Sequence, residues 1–304
     1  MNIDKLNWND LRYFLEVSRK GRLLSASKAL GVNHTTVARR INALEESLQI
    51  KLFEQDEYGF HLTTMAEKIL PLAQQIEDLT ELTKERVQLS GQTLSGNLRI
   101  GAPDGFGNSF FADKICQFTK NNPDIIIKLV AVPSNHDLIK REVDLTISLE
   151  PIIRKDLLCK KLTDYRLFLY TSKKYIENNN VDLESLADIE KQPFTSYISD
   201  LLYTEQLNFN HLISKKLNNC FQASTIMSQY QFILSGGGFG VLPFYMANND
   251  EQFIKVLPNK FSFIRTYWLV IPVELNRLAS VRGVEKLINQ LMVEYKNLFL
   301  PNTK

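Results

Sequence analysis

The sequence predicts a C-terminal α/β domain preceded by a small helix-rich winged helix-turn-helix and a long linker helix. Three observations predict it. Short amphipathic segments before residue 50 are punctuated by Gly21, Gly31 and Asn33. A stripe of apolar residues at intervals of three and four then runs from Met65 to Leu82. Beyond a Ser/Gly-rich connector, apolar strand-like runs alternate with helical ones to the end.

In order, Asn7 or Asn9 caps a helix carrying Trp8, Leu11, Phe14 and Leu15 and ending near Gly21. Ser25 to Leu30 forms a second helix stopped by Gly31, which suits the left-handed position after a helix. Asn33 caps a third, His34 to Leu48, with Val37, Ile41 and Leu44 inward. Lys51-Leu52-Phe53 and Phe60-His61-Leu62 flank a polar stretch and predict two short strands. Thr64 and Glu67 have capping-box spacing at the head of a helix extending to about Leu89. Pro71 interrupts its pattern at a cost of roughly 3 kcal/mol in an isolated helix, which packing against a partner would offset. A helix after a wing has no evident core of its own to cover, so a dimerising role is expected.

Past Ser90–Gly96, strands are expected at Asn97–Gly101, Ile125–Ala131, Val143–Ser148, Arg166–Thr171, Phe239–Leu242 and Thr266–Ile271. Helices are expected at Asn108–Lys120, Thr225–Ser235 and Asn276–Leu298. Continuous apolar strands with intervening helices argue for parallel sheet. Gly236-Gly237-Gly238-Phe239-Gly240 follows a helix and leads into a strand, the reverse of a phosphate-binding loop, and reads as a tight turn.

The 304 residues are 44% apolar and 23% charged with a formal charge of +2, an ordinary globular balance. The distribution says more than the sum. From Val17 to Leu44 there is no Asp or Glu, while Arg19, Lys20, Arg22, Lys28, Arg39 and Arg40 fall inside, predicting a positive face. Cys116, Cys159 and Cys220 are widely spaced, which speaks against a disulfide framework or cysteine zinc site. An N-terminus lacking an apolar core and the absence of a membrane-length run lead to an expectation of a cytoplasmic protein with no membrane partner.

In a helix-turn-helix the start of the second helix enters the major groove. That end is Asn33-His34-Thr35-Thr36, with Arg39 one turn on to pair with guanine and Arg40 around the helix to hold a phosphate. Lys28 and Lys51 complete the candidate contacts to double-stranded DNA. Glu54, Asp56 and Glu57 make the wing an unfavourable neighbour for phosphates, except through Lys51 or His61.

These motifs resemble those of the LysR-type transcriptional regulators: W-x-D-L-R-Y-F at 8–14, A-x-K-A-L-G-V at 26–32, T-V-x-R-R-I-x-x-L-E at 36–45, L-F at 52–53 and L-T at 62–63. G-N-L-R-I-G at 96–101 and G-G-G-F-G-V-L-P at 236–243 extend the resemblance into the second half. Leu24 and Ala38 depart from the family's usual hydroxyl residues. The resemblance implies a homodimer or homotetramer joined through the linker helix and the sensor domain, and contact with RNA polymerase. It also implies a sensor of periplasmic-binding-protein type in which two lobes hold a small-molecule effector, with no fixed cofactor. The expected organisation is 1–63 winged helix-turn-helix, 64–92 linker, and 93–304 effector-binding domain, with lobe I at 93–163 plus 267–304 and lobe II at 164–266.

Ligands collect at the carboxyl ends of strands in such sheets. The candidates are Asp104, Gly105 and Phe106 after the first strand, then Ser134, Ser148, Ser196, Tyr197, Ser224 and Thr225. Asp104, together with Ser148 where relatives place an arginine, favours a neutral or cationic effector. An enzyme is the main alternative class. His136-Asp137 is the only His–Asp neighbour pair, and no G-x-S-x-G or H-E-x-x-H motif accompanies it. A partner-binding module with an empty cleft is a third reading.

Overall fold

The structure is a computed structural model that describes residues 6–88, 94–131, 142–248 and 250–301. It divides into two compact units, Met1–Gly91 and Gln92–Lys304.

In the first unit, α1 (Trp8–Lys20) is capped by Asn7, whose side chain accepts from the Asn9 N–H, and ends at a left-handed Gly21. Helix α2 (Leu23–Leu30) ends at a left-handed Gly31. Helix α3 (His34–Leu48) starts at Asn33, whose side chain accepts from the Thr35 N–H. Phe14, Leu15, Val17, Ala26, Val37, Ile41, Leu44 and Leu52 are buried between them. Strands β1 (Phe53–Gln55) and β2 (Phe60–Leu62) pair antiparallel as the wing. β1 lies two residues later than expected, because Leu52 is spent on the helical core. Glu45 holds the junction: its buried carboxylate accepts from the Leu52 N–H at 2.8 Å and from Lys51 Nζ.

Helix α4 (Thr64–Gln88) runs unbroken through Pro71. Its cap is Thr63 rather than Thr64: the Thr63 hydroxyl accepts from the Ala66 N–H and donates to the Lys51 carbonyl. The expectation that this helix has no core of its own is overturned. Ala66 and Ala73 are buried and Ile69, Leu70 and Ile76 pack on the first unit's core. Arg19 adds a forked ion pair to Glu77. Met65, Leu72 and Leu79, seven residues apart, form a separate stripe at 48%, 58% and 60% exposure.

The second unit is built on a seven-stranded sheet. Its members in chain order begin with β3 (Gly96–Ala102), after which come α5 (Asp104–Phe106), a π-turn (Gly107–Phe111) and α6 (Ala112–Asn121). Then follow β4 (Ile125–Ala131), β5 (Leu145–Ser148) and the sixteen-residue β6 (Leu157–Ser172). Helices α7 (Lys173–Asn178) and α8 (Leu186–Ile189) lead to β7 (Pro193–Tyr197), β8 (Asn218–Ala223) and α9 (Ile226–Leu234). The chain closes with β9 (Gly240–Pro243), α10 (Phe244–Ala247), β10 (Phe253–Val256), β11 (Ser262–Pro272), α11 (Ala279–Glu294) and α12 (Lys296–Phe299).

β7 and β8 pair parallel as a separate two-stranded sheet, and in the seven-stranded sheet β3 pairs parallel with β4 and β5. The sheet is nevertheless mixed, because β11 pairs antiparallel with β6 from Leu157 to Phe168 and β9 and β10 join the end of β6 antiparallel. The expected parallel sheet is therefore corrected. β6 begins nine residues before the apolar run at Arg166–Thr171, since its first half is half-solvated and carries Lys160, Lys161 and Asp164. β6 and β11 pass from one lobe of the α/β architecture into the other, with a register irregularity at Tyr267/Trp268. Among the described residues no helix is long and apolar enough to cross a membrane.

Candidate nucleic-acid interface and ligand cleft

On α3 the first turn is open to solvent. Asn33, His34, Thr35 and Arg39 are exposed and Thr36 is half-buried, while Val37 and Ile41 point into the core. Thr35 and Arg39, four residues apart, share one helical face. Lys28 is exposed on α2. No ion pair is formed by Arg39 or Lys28 among the described residues, so both cations are available to an external anion.

Arg40 is placed differently from the expectation. Its Nη1 lies 3.2 Å from Asp10 Oδ1, whose side chain is 5% exposed, and its guanidinium sits over the Tyr13 ring. Burial pushes the Asp10 carboxyl upward and Arg40 pulls it back, so the guanidinium is engaged in holding α1 to α3. Arg19 is likewise spent on Glu77 and Glu16. The acid-free stretch thus yields a smaller positive face than its composition promised. Lys51 is 76% exposed but paired with Glu45. In the wing, Asp56 accepts from the Tyr58 and Gly59 N–H groups and approaches His61 Nε2 at 3.0 Å. That acid shapes the turn, which explains its presence beside a candidate phosphate surface.

In the second unit, Asp104, Gly105 and Tyr197 come together at a cleft whose other walls include Tyr165, Tyr203, Ile226, Tyr245 and Tyr267. About 20 Å³ remains open, room for about one water. Tyr165 and Tyr267 stack at 4.1 Å and 9°, and the Tyr245 and Tyr267 hydroxyls are 2.8 Å apart. Burial pushes the Tyr245 and Tyr267 hydroxyls well above their ordinary range, so both stay protonated donors.

Asp104 bridges the cleft by accepting from the Met227 N–H at the start of α9. A Cβ on Gly105 would sit 2.7 Å from Ile226, so only glycine permits this approach. Burial pushes the Asp104 carboxyl upward against the backbone N–H groups of Met227, Ile226 and Gly105, which pull it down. The folded protein therefore holds that proton more tightly than the unfolded chain, and stability declines as pH rises from the ordinary carboxylate value through the folded one. Asp104→Asn keeps an acceptor for Met227 and removes the buried charge. Its melting midpoint is expected above that of the parent at pH 7, the gap closing towards about pH 4. A gap that stays constant across a calorimetric pH series would disprove the assignment.

Other expected ligand residues fall elsewhere. Phe106 is fully buried against Phe110, Phe111, Tyr267 and Phe299, because the turn after β3 directs it into the aromatic core. The Ser148 hydroxyl is buried and accepts from the Glu150 N–H. Ser224 is exposed outside the cleft, and Thr225 caps α9 by accepting from the Ser228 N–H. Ser196 and Tyr197 border a second, larger chamber in the lobe carrying β7 and β8. Ser134, and His136 with Asp137, lie outside the described residues. Tyr165, Tyr203, Tyr245 and Tyr267 were missed: they come from two strands, a loop and the short helix α10, and only tertiary packing assembles them.

Two family descriptions match, "Bacterial regulatory helix-turn-helix protein, lysR family" over residues 8–67 and "LysR substrate binding domain" over 91–292. The chain belongs to the LysR family. As a LysR-type regulator it carries a DNA-binding helix-turn-helix followed by a two-lobed effector-binding domain of periplasmic-binding-protein type. Its relatives are transcriptional regulators, including YoaU of Bacillus subtilis, 29% identical over 65% of this chain and 66% of that one. DmlR of Escherichia coli is 29% identical over 61% and 60% of the two chains. The activator TtdR of Escherichia coli is 24% identical over 90% and 89%. The chain thus spans under two thirds of YoaU and DmlR but most of TtdR. Among solved structures, a full-length OxyR variant from Pseudomonas aeruginosa superposes with a TM-score of 0.66 at 20% identity, over 93% of this chain and 97% of that one. LysG from Corynebacterium glutamicum, solved with bound effector Arg, gives 0.63 at 16% identity over 95% and 99%.

Proposed function

We propose that this LysR-type regulator reads its promoter through the exposed first turn of α3 and reports a small molecule held between the lobes of its second unit. The observation that carries the reading is the pairing of Thr35 and Arg39 on one solvent face, with no acid among the described residues engaging Arg39. Thr35 and Arg39 address base edges, while Asn33, His34, Thr36 and Lys28 hold the backbone beside them. Lys51 serves as a weaker phosphate contact across the wing junction. DNase footprinting of the promoter region, including the interval shared with a divergently transcribed neighbour, tests the reading; no protected dyad at moderate salt would refute it.

The free stripe of Met65, Leu72 and Leu79 supports a homodimer formed through α4, with pairs of dimers giving a tetramer on DNA. Leu72→Glu is expected to convert the assembly to smaller species in sedimentation velocity without lowering the helical content. An unchanged sedimentation coefficient would remove α4 from the interface.

A ligand enters the tyrosine-lined cleft by separating the lobes, since the closed form has no room for it. Asp104 and neutral tyrosine hydroxyls suit a neutral or cationic effector. Binding biases the DNA-bound arrangement only by its differential affinity for the two lobe angles, on the order of 1–3 kcal/mol. The protein works in the cytoplasm by binding rather than turnover, and its altered DNA geometry is passed to RNA polymerase.

A further inference from the structure

Beside the cleft, the lobe carrying β7 and β8 holds a second chamber of about 290 Å³, close to the lower size of small-molecule sites. Its lining differs in chemistry from the cleft. Ser196, Asn219, Gln222 and Gln229 supply hydroxyl and amide groups, and His211 and Lys215 stand exposed among the lining side chains. Among the described residues no Asp or Glu lines it. Gln229 is 3% exposed, and its Nε2 has no hydrogen-bond partner, an uncompensated donor that an acceptor on a bound molecule would satisfy. Asn210, by contrast, is already committed to the Thr195 carbonyl and Asn219.

From this lining we infer that the chamber is a ligand site, distinct from the interlobe cleft, for a small hydroxylated anion. Lys215 supplies the charge that a carboxylate or phosphate requires, with His211 beside it. The amides and Ser196 supply the alternating donors and acceptors that hydroxyl groups require. Tyr197, Leu207 and Phe209 line both the chamber and the cleft and form the wall between them. The loop that closes the chamber is also tied across to the first lobe, where the Thr204 hydroxyl donates to Glu150. An occupant therefore presses on the same wall that an interlobe effector touches.

Calorimetric titration of the full-length protein, without DNA, tests the assignment. The probes are gluconate, glucose 6-phosphate, sorbitol and acetate. At least one hydroxylated anion is expected to bind about tenfold more tightly than sorbitol or acetate, and whichever it is tells carboxylate from phosphate. Lys215→Ala, an exposed change that spares folding, and Gln229→Leu are each expected to weaken it about tenfold. Asp104→Asn, in the cleft, is expected to leave it unchanged. Binding of neither hydroxylated anion, binding indifferent to Lys215→Ala, or binding lost in Asp104→Asn would overturn the assignment. A failure here leaves the DNA-reading and cleft proposals standing, since neither involves Lys215.

Discussion

Arg39→Ala is expected to weaken binding to the specific promoter fragment by about 10- to 100-fold while leaving the thermal midpoint of the first unit in place. The two halves of that expectation come from different contacts. A bidentate guanidinium–guanine pair is worth about 1–3 kcal/mol of discrimination, and no acid among the described residues uses Arg39 instead. Arg40→Ala is expected to behave in the opposite manner. It strips the partner from Asp10, a carboxylate whose side chain is 5% exposed, and costs about 1–3 kcal/mol of stability. Its DNA affinity then falls only as far as the folded fraction does. Gel-shift titrations alongside calorimetry separate the two; an Arg39→Ala protein that binds its promoter like the parent would end the groove assignment.

Gly238→Ala is expected to destabilise the second unit by at least about 3 kcal/mol. Gly238 sits at φ +138°, a conformation closed to alanine, and a Cβ there would lie 2.1 Å from the Pro193 carbonyl oxygen. That carbonyl cannot retreat, because it accepts from the Phe239 N–H at 2.8 Å, and the Gly238 carbonyl accepts from the buried Thr171 hydroxyl. The substitution thus strikes the seam between β7 and β9 on which both the cleft and the chamber depend. Scanning calorimetry of the full-length variant should show the transition of the second unit displaced downward and that of the first unmoved. Coincident, unshifted transitions would show that the turn relaxes without penalty.

The first unit was legible in the sequence because its signals are local. Asn33 as a cap, Gly31 as a stop and the spacing of Val37, Ile41 and Leu44 each act within a turn or two of their own position. Errors arose where one residue competes for two roles. Thr63 and Thr64 are adjacent hydroxyls, and only the bond to the Lys51 carbonyl selects Thr63. Arg39 and Arg40 look equivalent until Asp10, thirty residues away in sequence, claims one. The cleft was legible as a set of loops after strands, which located Asp104 and Tyr197, but not as a set of side-chain directions. Phe106 turns inward because three phenylalanines and Tyr267 wait for it there. The chamber was invisible, its lining being drawn from two strands, a helix and the irregular 3₁₀ turns between Ser199 and Leu212, which carry no periodic pattern.

β6 and β11 pair from Leu157 opposite Pro272 to Phe168 opposite Ser262, with a single register shift at Tyr267/Trp268. A two-stranded ribbon of that kind is stiff against in-plane bending, because bending would stretch its ladder of hydrogen bonds, but it yields to torsion. The lobes it joins are therefore expected to behave as geared rather than hinged: a molecule prising them apart would also wind one about the other. A screw motion is the expected response of the lobes to a ligand, and spin labels placed on opposite lobes should report a rotation larger than the change in their separation suggests.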